Sequence, residues 1–404
     1  MTWDPVGVRE IRAAAELLRD VAVPTPLLHS RYLSEMVGGP VYLKCENLQR
    51  TGSFKIRGAY VRIARLSEAE RAGGVVAASA GNHAQGVAHA ASLLGCKATV
   101  FMPKGAPLPK VAATKAYGAE VLFPGPTVDD CLVAAEAYAE ERGAVFIHPF
   151  DHPDVVAGQG TIGLEILEQC PDVRTIVAAT GGGGLVAGIA TAVKELRQDV
   201  KVIGVQAKRA AAFPPSLATA HPTRIDIGPT MADGIAVGRP GDLTFELVSK
   251  LVDAVVTVSE ESLSQALLLC LERSKQVVEP AGAAGVAAML EHSYAFNPPV
   301  VALLSGGNID PVLLAKVLRH GLAVAGRYLV VRCRVQDRPG ALVTLLSELA
   351  DLGVNVLDVM HERVAPRLHV EDAEVLMHLE TRGPDHCDEV LGRLRAKGYV
   401  LTFT

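Results

Sequence analysis

Aromatic side chains are scarce in this chain: they make up 4% of its 404 residues, with a single tryptophan, while alanine, glycine and valine are plentiful. Small side chains of that kind suit helices packed tightly on sheets. Positive charge is not in excess. The formal net charge is −5, so there is no electrostatic case for nucleic-acid binding. No apolar run reaches the roughly 20 residues of a membrane-spanning helix, and no membrane association is expected. Met1-Thr2-Trp3-Asp4-Pro5 lacks a basic segment followed by an apolar core, which predicts no signal peptide. The seven cysteines (Cys45, Cys96, Cys131, Cys170, Cys270, Cys333, Cys387) form no Cys-x-x-Cys pair. That spacing argues against a disulfide frame or a zinc site and predicts reduced thiols in a cytoplasmic protein. What remains is an ordinary globular composition, 49% hydrophobic and 21% charged, long enough for two or three domains with a large core.

Strand-like and helix-like runs alternate through most of the chain. An amphipathic helix is predicted over Val8–Leu18 and an extended piece over Thr25–Leu28. Strands are predicted at Val41–Leu43, Val75–Ala78, Ala98–Phe101, Val121–Phe123, Val145–Ile147, Thr175–Ala179, Val202–Gln206 and Val300–Leu304. The helical runs between them include Ile56–Leu66, His83–Leu94, Leu108–Tyr117, Val128–Arg142, Val155–Leu167 and Leu185–Leu196. The alternation predicts a doubly wound α/β architecture with a mostly parallel sheet, in which ligands bind where strand ends lead into helices. Periodicity is poor from Ala207 to Pro240. Helices are expected again at Leu243–Leu251, Leu263–Lys275, Ala283–Leu290 and Val312–Leu322. After Gly326 the order becomes βαββαβ: strand Tyr328–Val335, helix Ala341–Leu352, strands Val354–Val364 and Ala373–Glu380, helix His386–Lys397, strand Tyr399–Phe403. That is a ferredoxin-like unit, and the expected domains are residues 1–325 and 326–404.

Three strand-to-helix junctions carry residues suited to chemistry. Ser53-Phe54-Lys55 places one lysine where a loop, broken at Gly52, becomes a helix. A lysine there is either a solvated helix-start residue or a partly desolvated amine able to act as nucleophile, Schiff-base partner and base. Ser79-Ala80-Gly81-Asn82-His83 offers free amides at a helix start. They are suited to a carboxylate, unless Asn82 is simply a helix cap. Thr180-Gly181-Gly182-Gly183-Gly184-Leu185 exposes successive backbone amides, an anion-binding nest or a flexible loop. A nucleotide phosphate site is a rival, but neither a GxGxxG after the first strand nor a Walker lysine is present. Ser305-Gly306-Gly307-Asn308 closes the strand Val300–Leu304.

Ser53-Phe54-Lys55-x-Arg57-Gly58 after Glu46-Asn47-x-Gln49 resembles the pyridoxal-phosphate lysine motif of the threonine dehydratase group, within the tryptophan synthase β-like superfamily (fold type II). The resemblance runs from about Thr25 to Asn308. It implies that Lys55 binds the cofactor and is the catalytic base, with Phe54 beside the ring. It further implies that Gly181, Gly182, Gly183, Gly184 and Leu185 hold the phosphate. Ser305 would bond the pyridine nitrogen, Glu279 would lie near the ring, and Asn82 would meet the phenolic oxygen. Ser79, Gly81, Asn82 and His83, with Gly234, would hold the substrate. His148-Pro149-Phe150 and Gly158-Gln159-Gly160-Thr161 match as architectural segments.

The implied activity is elimination of the β-hydroxyl of L-threonine, and of L-serine, with release of ammonia. A serine racemase is built on the same frame but has serine after the residue matching Ser79. Ala80 stands there and cannot transfer a proton. Racemases also bind a divalent cation where this chain has Gln206 and Ala212, so no metal is expected. β-Replacement synthases commonly carry another lysine motif and lack the C-terminal module. A non-catalytic amino-acid sensor would not need the whole set of lysine, glycine loop and serine.

The C-terminal piece resembles an ACT domain through Asp337-Arg338-Pro339-Gly340-Ala341-Leu342 and Gly353-Val354-Asn355-Val356. Gly340 and Asn355 would then line an effector pocket for isoleucine or valine. The alternative is a dimerisation domain without a ligand. The implied assembly is a homodimer or homotetramer.

Overall fold

The computed structural model describes residues 6–292, 296–363 and 368–402. The chain divides into two compact units, Met1–Leu314 and Ala315–Thr404, a division that falls within the helix Pro311–Val324.

The described strands of the first unit are β1 Leu27–His29, β2 Val41–Lys44, β3 Val75–Ala78, β4 Ala98–Phe101, β5 Glu120–Leu122, β6 Val145–Phe146, β7 Thr175–Ala179, β8 Lys201–Ala207, β9 Ala254–Val258 and β10 Val300–Leu303. They form two sheets, β1-β2-β10-β7-β8-β9 and β5-β4-β3-β6. Every pairing is parallel except β1 with β2. β3, β4, β7 and β10 are buried along their whole length. Unbroken apolar runs such as Val-Val-Ala-Ala are what a parallel sheet covered on both faces demands.

The helices Lys55–Ala64 and Pro153–Gln169 cross at glycines. A Cβ at Gly158 would lie 2.6 Å from Gly58 Cα and 2.7 Å from the Arg57 carbonyl oxygen, so only glycine lets the backbones meet. Beside the crossing lies a buried ionic network. Arg57 donates to both oxygens of Glu46 at 2.9 and 2.8 Å, to Thr161 Oγ1 at 3.1 Å and to Glu165 Oε1 at 2.6 Å. Lys44 Nζ donates to Glu165 Oε2 at 2.5 Å and to the Thr25 carbonyl at 2.9 Å. Two cations and two carboxylates leave no net charge in the core, the condition under which buried ions are tolerated.

In the second unit β11 Tyr328–Gln336, β12 Asn355–Glu362, β13 Asp372–Glu380 and β14 Val400–Thr402 form an antiparallel sheet in the order β12-β13-β11-β14. With helices Ala341–Asp351 and Pro384–Ala396 this is the expected βαββαβ unit. Alternate residues of β11 (Val331, Cys333, Val335) join Leu345, Leu349, Val375, Met377, Val390 and Leu394 in its core.

Some elements depart from the sequence expectation. β9 is not among the predicted strands, although Ala-Val-Val-Thr-Val is as apolar as they are; it is a short edge strand with only Val258 fully buried, set between two helical runs. The irregular stretch 207–240 contains a helix, Phe213–Thr219. Leu263–Lys275 is not one α-helix but Glu260–Leu269 followed by a π-turn, Cys270–Ser274, ended by Lys275 at φ 56°. Val364 and Phe403, the expected ends of two strands, lie outside the described residues.

Candidate active site

Lys55 opens its helix after two consecutive residues with positive φ, Thr51 at 64° and Gly52 at 70°. That turn is held by the loop that follows β10. Ser53 pairs with Gly306, the Phe54 N–H donates to the Ser305 carbonyl at 3.2 Å, and the Gly307 N–H donates to the Gly52 carbonyl at 2.9 Å. The lysine junction and the Ser305 junction, some 250 residues apart in sequence, are thus one loop cluster at the carboxyl ends of β2 and β10, which are adjacent and parallel.

Lys55 Nζ donates to the Pro149 carbonyl at 2.8 Å and lies 5.2 Å from the centre of the Phe54 ring. The side chain keeps some solvent access, as a reactive amine must. Burial nevertheless lowers it to about 8, against the opposing pull of the Glu279 carboxylate. The helix Asn82–Leu93 approaches the lysine backbone closely: a Cβ at Gly86 would lie 3.1 Å from Lys55 C.

Asn82 is not the cap of that helix. Gly81 occupies the cap position, with no side-chain bond. The Asn82 amide reaches Glu279 instead, donating to Oε1 at 2.5 Å. Its oxygen accepts from Asn308 Nδ2 at 2.8 Å, and Asn308 also donates to the Thr51 carbonyl at 2.6 Å. Asn308 therefore ties the lysine turn to Asn82 and through it to Glu279, a role no sequence spacing suggested. Glu279 is buried, and its carboxyl is pushed up to about 7, first by burial and then by Asp233. Gly234 lies against it: a Cβ there would be 3.0 Å from Ala281 and 3.7 Å from Glu279.

Ser79 Oγ accepts the Gly81 N–H at 3.1 Å and shapes the turn. His83 is buried, donates Nε2–H to the Ile147 carbonyl at 2.7 Å, and is pushed down by burial to about 3. With Nε2–H used and Nδ1 able only to accept, a neutral His83 can offer an anion only its backbone N–H.

The four glycines lead from β7 into the helix Gly184–Leu196, with Gly183 at φ 104°, a conformation glycine adopts without strain. None of the backbone N–H groups from Gly181 to Val186 has a hydrogen-bond partner among the described residues. Six unpaired amides around a helix start form a ready anion site. Leu185 closes the loop and is buried.

Gly340 and Asn355 belong to the second unit. Gly340, at φ 89°, precedes the helix Ala341–Asp351, and Asn355 Nδ2 donates to Glu380 Oε2 at 3.0 Å. Gln206 is buried on β8, and its Oε1 accepts the Phe213 N–H at 2.9 Å.

The arrangement fits pyridoxal phosphate: an amine of lowered basicity, a neutral aromatic beside it, a buried serine at a strand end, and orphaned amides for a phosphate. Comparisons with known proteins agree. The pyridoxal-phosphate dependent enzyme family matches residues 18–306 and the ACT domain matches residues 329–396. An L-threonine ammonia-lyase of Thermotoga maritima is 49% identical, over 98% of each chain. One from Geobacter sulfurreducens is 47% identical over 97% of this chain and 98% of its own. A crystal structure of threonine deaminase from T.th. superposes with a TM-score of 0.72 at 44% identity, covering 75% of this chain and 99% of that one. The chain belongs to the pyridoxal-phosphate dependent enzyme family of fold type II and carries a C-terminal ACT domain.

Proposed function

We propose that this chain is a pyridoxal-phosphate-dependent threonine ammonia-lyase, converting L-threonine to 2-oxobutanoate and ammonia, and L-serine to pyruvate and ammonia. The observation that carries the reading is Lys55, an amine lowered to about 8 and set in one loop cluster with Ser305, Asn82 and Glu279. When bound, pyridoxal phosphate supplies an electron-withdrawing ring that acidifies the substrate α-carbon.

The chain's own groups do the rest. Gly181, Gly182, Gly183, Gly184 and Leu185 would hold the phosphate through backbone amides. Phe54 would pack beside the ring, and Ser305 would offer a hydroxyl to its nitrogen, which a carboxylate there would keep protonated. Asn82 and Glu279 would lie near the ring. Ser79, Gly81 and the His83 backbone would bind the substrate carboxylate, with Gly234 beside the substrate. Lys55 Nζ would tether the cofactor, yield that bond to the substrate amine, and then accept the α-proton. The β-hydroxyl would leave with a proton as water, and the enamine left behind would be hydrolysed by water to the keto acid and ammonia. Ala80 has no proton to deliver to the opposite face, which favours elimination over racemisation.

The same reading makes the second unit an amino-acid-sensing module with Gly340 and Asn355 at its pocket, in a cytoplasmic homodimer or homotetramer. Among the described residues no helix is long and apolar enough to cross a membrane, and all seven cysteines are free thiols. Lys55→Ala tests the central assignment. It should abolish the visible absorbance of bound cofactor and reduce keto-acid production from threonine by about a thousandfold or more. Ordinary turnover in that variant would overturn the reading.

A further inference from the structure

The segment that receives Lys55 also organises the glycine loop. Its Asp151 accepts the N–H groups of Asp242 at 2.9 Å and Thr244 at 3.1 Å, capping the helix Asp242–Leu251. Asp151 is itself placed by its own N–H, which donates to His148 Nδ1 at 2.7 Å. Thr244, fully buried, donates its hydroxyl to the Gly182 carbonyl at 2.6 Å. The Gly241 N–H reaches the same oxygen at the longer distance of 3.3 Å.

In a planar trans peptide the carbonyl and the following N–H point in opposite directions. A Gly182 carbonyl held toward Thr244 therefore turns the Gly183 N–H away from Thr244, among the unpartnered amides. Between glycines this peptide has little intrinsic preference, so its direction must come from outside the loop. Packing agrees: a Cβ at Gly183 would lie 2.8 Å from the Phe213 ring and 2.9 Å from Thr244.

We infer that Thr244 is a positioning residue for cofactor binding: its hydroxyl fixes the Gly182–Gly183 peptide so that the Gly183 N–H is presented to a phosphate ester in the glycine loop. This rests on the cofactor site proposed above. Asp151 sets the helix start that carries Thr244, so one short segment braces both the lysine and the anion loop.

The test is titration of the cofactor-free full-length protein with pyridoxal phosphate, followed by visible absorbance and intrinsic fluorescence. Thr244→Val keeps the shape and removes the donor, and should raise Kd about tenfold, the worth of one oriented hydrogen bond. Thr244→Ser should stay close to the unsubstituted chain, and Thr244→Cys, a weaker donor, should fall between. Thr191→Val is the control: an equally buried threonine on the glycine-loop helix, bonded to the Ala187 carbonyl at 2.8 Å, whose loss should leave Kd unchanged. With cofactor saturating, the KM for threonine should not move in any of the variants. Affinity that does not follow donor strength in the order serine, cysteine, valine overturns the role, as does an equal loss in Thr191→Val. No saturable binding by the unsubstituted chain would overturn the cofactor site itself and this inference with it.

Discussion

Glu279 is a buried carboxyl whose environment opposes its charged form. Burial and the nearby Asp233 hold its carboxyl at about 7 instead of 4.5. Between those values the folded chain keeps a proton that the unfolded chain releases. The protonated group's contribution to stability is therefore complete below pH 4.5 and is lost as pH rises through 7. Glu279→Gln is neutral throughout. In urea denaturation of the cofactor-free protein, the variant should gain on the unsubstituted chain by about 3 kcal/mol between pH 4.5 and 8. A pH-independent difference would mean that the carboxyl titrates as an exposed one does. Lys55 could be singled out from local sequence because its neighbours announce it. Glu279 and the Pro149 segment are named only through the resemblance; their contacts with Lys55, across 224 and 94 residues, and the bracing by Asn308 come from the fold alone.

At the scale of elements, the crossing of Lys55–Ala64 over Pro153–Gln169 decides where the lysine sits. A methyl at Gly158 would meet backbone atoms at 2.6 and 2.7 Å, and backbone cannot rotate away as a side chain can. Gly158→Ala should cost about 1–3 kcal/mol and reduce kcat by shifting Lys55. Gly392→Ala, in a helix where the added methyl meets nothing within 4 Å, should instead stabilise by about 1 kcal/mol. Urea titrations of the two variants, with kcat for the first, check the contrast; equal effects would deny the crossing its role. Much of this scale was legible. Buried parallel strands read as plain apolar runs, and the glycine loop falls between β7 and its helix as its spacing predicts. β9 escaped although Ala-Val-Val-Thr-Val is apolar, because so short a run between two helices cannot be told from a helical segment by periodicity. The Arg57–Glu165–Lys44 network escaped because charged residues in a sequence look like surface, and nothing local says that their partners share the core.

On the scale of the whole molecule, the two compact units match separate families. The proposed active-site residues lie no further along the chain than Asn308, and the threonine deaminase crystal structure is matched almost entirely by about three quarters of this chain. Truncation after Ala325, which keeps the helix Pro311–Val324 whole, should leave cofactor binding and basal turnover in place and remove any response to isoleucine or valine. Gly340→Asp should remove the same response: it adds a charge at a position whose φ of 89° disfavours a side chain. Threonine kinetics with and without these amino acids, and calorimetry, decide it. If the full chain responds to no amino acid and binds none, the second unit is an assembly device.

The strand order of the larger sheet also dictates when the enzyme can be born. β10, which ends at Leu303, is seated between β2 and β7, so the amino-terminal hairpin has no place in its sheet until residues near 300 have left the ribosome. Lys55 is made early, but the turn that carries it is complete only when Ser305, Gly307 and Asn308, which follow β10, can bond to it.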